Sequence, residues 1–313
     1  MGNNSSVYLK HLASHKSRNS GSQKSNISNF QHVDGRKFHN IRGSSYSMPV
    51  DEEECDRLQI QHFLFRCIWK GNFSAPIKDI LENGGHILDV GCGPGTWVLD
   101  MATEYPKAKF TAIDMVPVYP SEIKPPNVTF IQSNILEGLP FKDNEFDYVH
   151  MQNAAFNFTE KQWIEKVLVE LIRVLKVDGW CELCELDPKI INIPPKFLPL
   201  YKACIQLGHS KGINLEIAPS LGELLRGYTH SNKLSEIHHD VQTLLHYEHG
   251  AGRAGKISRE NALMFYRTIA PMILSILHIT QEEYDSILES AEEDWEINEC
   301  YNYMHRFFVR KKC

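Results

Sequence analysis

The sequence contains no run of eighteen apolar residues, which argues against a transmembrane helix, and its start lacks the apolar segment of a secretory signal. Cysteine is scarce, since eight residues at irregular spacings in a chain of 313 are too few for a disulfide scaffold. Basic residues are not in excess: 33 Lys and Arg face 39 Asp and Glu, for a net charge of −6. We therefore predict a reduced, intracellular protein, cytoplasmic or nuclear, that binds no nucleic acid.

The first part of the chain differs in composition from the remainder. Residues 1–45 hold seven Lys or Arg and one acid, Asp34, and the first thirty residues include eight Ser and five Asn. This pattern predicts a disordered basic tail over residues 1–40. The opening Met-Gly-Asn-Asn-Ser-Ser fits the acceptor pattern for N-myristoylation at Gly2, although a Ser-rich tail can match by chance. Acylation together with the basic tail would give weak membrane association.

Beyond the tail, helical and strand patterns follow in a definite order. Residues 41–85 predict an N-terminal helical cover, with an acidic first helical turn after Asp51. Over residues 86–190, short apolar strands alternate with helices, which predicts an α/β core with a parallel sheet and helices on both faces. Residues 191–313 predict a helical insert with two further strands, near 235–247 and 301–310.

The strongest motif is the glycine-rich turn Asp-Val-Gly-Cys-Gly-Pro-Gly at residues 89–95, between the first core strand and a helix. Such a turn lets a ligand approach the backbone beside free helix N–H groups. Asp114 ends the next strand, where a carboxylate can accept hydrogen bonds from ribose hydroxyls. Dinucleotide-binding enzymes have a third glycine where this chain has Thr96, and Asp89 would repel a pyrophosphate. A nicotinamide-dependent oxidoreductase is thus the weaker alternative.

These features, in this order, resemble the class I methyltransferases that use S-adenosylmethionine (SAM). The likeness includes the glycine motif, Asp114, the segment 132–135, the Leu-Pro-Phe and Phe-Asp-Tyr-Val stretches at 139–149, and the turn at 173–180. The stretch 46–62 is similar to fungal methyltransferases related to the secondary-metabolism regulator of the velvet complex. The resemblance implies a Rossmann-like, mostly parallel sheet of seven strands with the last strand antiparallel.

The resemblance also implies a set of site residues. The residues that would bind SAM are Asp89, Gly91, Cys92, Gly93, Gly95, Asp114, Met115, Asn134, Ile135, Met151 and Gln152. A lid over SAM would include Tyr46, Arg57 and Gln61. For an acceptor that must lose a proton, the candidate catalytic bases are His62 and His150, because imidazole titrates near neutral pH. For each histidine, a packing role is the alternative.

No metal site is expected. Cys181 and Cys184 form a Cys-x-x-Cys on a strand, where residues three apart face opposite sides, and His246 and His249 fit surface histidines better than ligands. We therefore predict a SAM-dependent methyltransferase whose acceptor is a small molecule. A protein methyltransferase, and a SAM-binding regulatory protein that acts through protein partners, remain alternatives.

Overall fold

A computed structural model of the chain describes residues 30–33, 35–40 and 48–313. Gly2 and Tyr46, and with them the predicted acylation site and one lid residue, lie outside the described residues. The described part begins with an antiparallel hairpin of strands β1 (Phe30–Val33) and β2 (Arg36–His39). The charged and aromatic side chains there support a paired turn around Gly35, whose φ is +79°. The rest of the tail predicted over residues 1–40 lies outside the described residues, and its boundary stays a prediction.

The central element is a seven-stranded sheet with the order β5-β4-β3-β6-β7-β9-β8. Its strands are β3 (His86–Val90), β4 (Lys109–Asp114), β5 (Val128–Gln132), β6 (Phe146–Gln152), β7 (Leu175–Leu186), β8 (His238–Leu245) and β9 (Tyr301–Arg310). Pairing is parallel from β5 to β7, whereas β9 is antiparallel to both β7 and β8. The predicted Rossmann-like sheet with an antiparallel last strand is confirmed.

Helices cover both faces of this sheet, as adjacent residues of β3 show. Ile87 packs with Trp97 and Met101 on one face, whereas Leu88 packs with Trp163 on the other. A parallel strand that is buried on both faces must be apolar at nearly every position, which the Ile-Leu-Asp-Val run of β3 satisfies except at Asp89. That exception marks the site.

The helices are α1 (Glu52–Trp69), α2 (Lys78–Glu82), α3 (Thr96–Glu104), α4 (Glu160–Gln162), α5 (Leu168–Val174), α6 (Leu198–Ser210), α7 (Leu221–His230), α8 (Glu248–Ala251), α9 (Arg253–Leu277) and α10 (Gln281–Ile297). A π-helical turn, Trp163–Val167, joins α4 to α5. Thr159 and Thr280 form the capping boxes that their sequence spacing indicates.

The helical insert has its own apolar core beside the sheet. Phe197 of the loop before α6, Tyr266 of α9 and Trp295 of α10 are buried there, and the ring of Phe197 packs edge-on against both other rings. Asn261 of α9 accepts a hydrogen bond from the Arg57 side chain and donates one to the Arg57 backbone carbonyl. These two bonds connect the insert to α1. None of the helices in the described part of the chain has the length and apolarity that a membrane span requires.

Candidate functional site

The glycine turn lies at the carboxyl ends of β3 and β4, where open parallel sheets bind ligands. Gly91, Gly93 and Gly95 have φ values of +74°, +52° and +79°, a left-handed conformation that favours glycine. The N–H groups of residues 91 and 92 donate to the carbonyl of Ile113 at 2.8 and 3.0 Å, which fixes the turn to the next strand. A side chain at Gly91 would meet no protein atom within 4 Å. Open space therefore lies directly over the turn.

Asp114 is tied to the turn through both carboxylate oxygens. Oδ2 accepts from the N–H of Gly93 and Oδ1 from the N–H of Val116, each at 2.9 Å. Burial raises the pKa of this carboxyl, although backbone hydrogen bonds from Val116, Gly93 and Met115 oppose the increase. Each carboxylate oxygen can accept a second hydrogen bond. Asp114 therefore retains acceptor capacity toward the open space.

Asp89 is paired with His150, which faces it on the neighbouring strand β6. The His150 Nδ1 lies 2.8 Å from the Asp89 Oδ1, and both side chains are buried. Because a carboxylate only accepts, Nδ1 carries the hydrogen. The His150 ring stacks on Trp97 with centroids 3.8 Å apart, and its Nε2 is buried without a hydrogen-bond partner among the described residues. Nε2 is thus the nitrogen of this ring that is left to interact with a bound ligand.

His62 belongs to a different cluster, which ties α1 to α3. Its Nε2 lies 3.2 Å from Asp100, which also accepts from Arg66 and Asn72, each at 2.8 Å. Burial alone would raise the pKa of Asp100, but the hydrogen bonds from His62 and Asn72 and the charge of Arg66 lower it below its ordinary value. The cluster holds the cover helix against the helix that follows the glycine turn.

A first cavity of about 180 Å³ opens over the glycine turn and collects most of the predicted residues. Those lining it are Gln61, His62, Asp89, Gly91, Cys92, Gly93, Asp114, Met115, Asn134, Ile135, His150, Met151 and Gln152. Gly95 and Arg57 do not line it. Gly95 begins α3 against the ring of Phe130, and Arg57 lines a second, adjoining cavity. Asn134 uses its Oδ1 to accept from Leu136 and its Nδ2 to donate to Glu137.

Sequence reasoning missed residues from three other segments around the first cavity. Trp97 forms part of its wall, as do Glu54 of the cover helix and Asn153 of the loop after β6. Glu185, at the end of β7, holds that loop because its carboxylate accepts from the N–H groups of Ala154 and Ala155 at 2.7 and 3.1 Å. Burial raises the pKa of Glu185 to about 8. An acid among the apolar residues at the end of this strand was the available signal for this residue.

No metal centre is present in the described part of the chain, where no three His, Cys, Asp or Glu side chains converge. Cys181 packs into the apolar core, whereas Cys184 adjoins Arg306, as expected for opposite faces of a strand. His249 is exposed as predicted, but the surface position predicted for His246 was wrong because Ser258 and Asn302 bury it.

Comparison with known proteins identifies the core. Residues 87–179 match the family model of a methyltransferase domain. A secondary metabolism regulator of Cochliobolus heterostrophus is 32% identical over 155 residues, which are 49% of this chain and 50% of that protein. An N-methyltransferase of Clonostachys rogersoniana is 31% identical over 186 residues, 57% of this chain and 64% of that protein. The chain spans about half the length of the curated relatives it matches, and over the matched residues the predicted similarity to fungal methyltransferases is confirmed.

Among solved structures, an N-methyltransferase of Haemonchus contortus, in complex with phosphomonomethylethanolamine and S-adenosylhomocysteine, superimposes with a TM-score of 0.46 and 16% identity. The superposition covers 82% of this chain and 58% of that chain.

Proposed function

We propose that this chain is a SAM-dependent methyltransferase that acts on a small molecule. The observation that carries the proposal is the first cavity, in which a left-handed glycine turn and the partly unused carboxylate of Asp114 adjoin at the carboxyl ends of β3 and β4. The methyltransferase-domain match over residues 87–179 supports the same function. Of the cofactor classes considered from the sequence, SAM is the one that combines a ribose with a cationic amino acid.

The residues fit SAM part by part. Asp114 would accept the ribose hydroxyls with its remaining lone pairs, and the glycine turn leaves room for a ligand against the backbone. Asp89 would face the ammonium group of the methionine part. Met115 and Ile135 would flank the adenine, with Asn134 at its edge through the backbone, because its side chain is used to cap a turn. Met151 and Gln152, at the end of β6, would line the path to the acceptor.

When bound, SAM supplies a methyl group that is already activated on a sulfonium, so the chain mainly has to orient the reactants and exclude water. The walls of the first cavity supply that enclosure. His150 would hold Asp89 in place through its Nδ1 hydrogen bond, and its Nε2, which has no partner among the described residues, is the candidate base. His62 would hold the cover helix through Asp100. Gln61 and Arg57, on the same cover helix, would line the two cavities.

A regulatory role through protein partners is the second candidate. It is favoured by the relatives that are named secondary metabolism regulators, which match the chain at 30 to 34% identity. Transfer of radioactive methyl from SAM to small molecules of a cell extract would support the enzyme. Transfer confined to protein, or SAM binding without transfer, would favour the alternatives.

The first test is calorimetric titration of the protein with SAM. We expect micromolar binding that Asp114→Ala weakens at least tenfold, which corresponds to about 1.4 kcal/mol. Asp79→Ala is the matched control, since Asp79 is exposed on α2 and does not line the cavity. Asp114→Asn, which keeps the side-chain volume, separates loss of affinity from misfolding when thermal unfolding is measured in parallel. A folded wild-type protein that does not bind SAM would contradict the proposal.

A further inference from the structure

A second cavity, of about 130 Å³, adjoins the first. The two cavities share five wall residues: Glu54, Leu58 and Gln61 of α1, and Asn153 and Asn157 of the loop after β6. The rest of the second wall comes largely from α6, α9 and the ends of the sheet strands β7 and β8. A molecule in the second cavity would therefore lie beside a ligand in the first.

The charges around the second cavity cancel. Glu54 is the one acidic and Arg57 the one basic (Lys or Arg) side chain among the described residues that line it. The Arg57 guanidinium donates to both carboxylate oxygens of Glu54, at 2.7 and 2.8 Å, and both side chains are buried. A charged ligand would find no free counter-charge there. Moving an unpaired ion from water into a buried site is strongly unfavourable. The wall therefore selects against ions.

Aromatic side chains form much of the remaining wall, including those of Phe65, Phe156, Phe265, Tyr266 and Trp295. Such faces pack well against a flat ring. An engineered apolar cavity of about 150 Å³ in another protein holds one benzene. The second cavity is of that size class, so it suits one ring and its substituents.

One polar group of the wall has an unusual restriction. Asn302 donates its amide hydrogens to the carbonyls of Asp187 and Lys189, at 3.0 and 2.8 Å, which turns its oxygen toward Nε2 of His246. That nitrogen must then carry the ring hydrogen, since the amide oxygen only accepts.

The other ring nitrogen, Nδ1, is left as the acceptor for the Ser258 hydroxyl at 2.8 Å. Burial lowers the pKa of His246 to about 4, so the ring is neutral at physiological pH. Because the Ser258 hydrogen is used in this way, its oxygen can only accept from a ligand. No donor reaches that oxygen within the described ranges.

We infer that the second cavity binds the methyl acceptor, and that the bound part is an uncharged, single-ring group whose hydroxyl or N–H donates to Ser258. The identification of the ligand as the acceptor rests on the proposed function; its chemical class rests on the cavity alone. The nucleophile of the acceptor would lie near the shared wall of Gln61, Asn153 and Asn157, where the two cavities meet.

The test uses ring-sized probes and the full chain. Saturation-transfer NMR would give dissociation constants for benzyl alcohol, toluene, benzylamine and benzoate at pH 7.4, with S-adenosylhomocysteine absent and present. We expect benzyl alcohol to bind at least tenfold more tightly than the two ions and several-fold more tightly than toluene. Equal binding of benzoate or benzylamine would overturn the inferred neutrality, and equal binding of toluene would overturn the hydrogen bond.

Two variants make the test specific to this cavity. Ser258→Ala should remove the advantage of benzyl alcohol over toluene and leave toluene binding unchanged. Ala262→Trp, which places an indole in the cavity wall, should abolish probe binding while SAM titration remains as in wild type. Probe binding without SAM binding would refute the proposed function but keep the cavity assignment. SAM binding with no probe binding would refute this inference alone.

Discussion

Replacing His150 by Phe tests how the buried Asp89 is kept ready for a cationic ligand. Phe retains a ring to stack on Trp97 but removes the Nδ1–H that donates to Asp89 at 2.8 Å. A hydrogen bond to a charged group contributes about 1.5–3 kcal/mol, so we expect the free energy of unfolding to fall by about 2 kcal/mol. Without that donor, the Asp89 carboxylate is no longer held in position for the ammonium group, and SAM affinity should fall about tenfold, or about 1.4 kcal/mol.

The assay pairs urea unfolding with calorimetric SAM titration over pH 6 to 8. His150→Gln serves as the matched variant, because its amide N–H can still donate to Asp89 and should keep SAM affinity nearer to wild type. Unchanged SAM affinity in a destabilised His150→Phe protein would refute the argument that the pair positions Asp89. A loss of turnover with SAM binding intact in both variants would instead indicate a catalytic base.

Three further predictions concern the cover, the loop after β6 and the glycine turn. Arg57→Leu should lower the free energy of unfolding by about 3 kcal/mol, because it leaves Glu54 buried and unpaired, and Glu54→Gln in the same chain should recover much of it in urea unfolding. Because burial raises the pKa of Glu185 to about 8, its contribution to stability should be present at acid pH and lost as the pH rises from about 4.5 to 8. Glu185→Gln should show no such loss in thermal unfolding scans across that range. Alanine at Gly91 or Gly95 is strained in either case by the positive φ, but Gly95→Ala should impair folding more, since its Cβ would lie 2.8 Å from an aromatic ring, whereas Gly91→Ala, whose Cβ enters open space over the turn, should weaken SAM binding more. Equal effects of the two substitutions on SAM titration would contradict this account of the turn.

The sequence predicted the parts of the structure whose causes are local. The glycine turn, the strand that ends at Asp114 and the capping boxes at Thr159 and Thr280 each depend on residues within a few positions of one another. The last strand was placed at Tyr301–Arg310, as observed, in a segment rich in aromatic residues. These elements fix the cofactor side of the candidate site.

The acceptor side depends on contacts that no local pattern encodes. Arg57 meets Asn261 across 204 positions of sequence, and His246 is buried only because Ser258 and Asn302 come from other elements to enclose it. Polar residues around 238–240 predicted a solvated strand, which holds for His238 but not for His246, just past the strand end. Periodicity identifies an apolar helix face; it does not identify the partner that covers the face.

The cover helix α1 is where the two sides become one site. Its residues Glu54, Leu58 and Gln61 line both cavities. Arg57 binds Asn261 of the insert, and His62 binds Asp100 of α3, the helix that follows the glycine turn. Movement of α1 by even an ångström would therefore alter both walls together. Arg57 therefore has two functions: it connects the cover to the insert through Asn261, and it pairs with Glu54 so that the second cavity has no free charge. Substitution of Arg57 should accordingly change both SAM affinity and the preference for uncharged ring probes. Substitution of Asp114 should change SAM affinity alone, and substitution of Ser258 should change the probe preference alone.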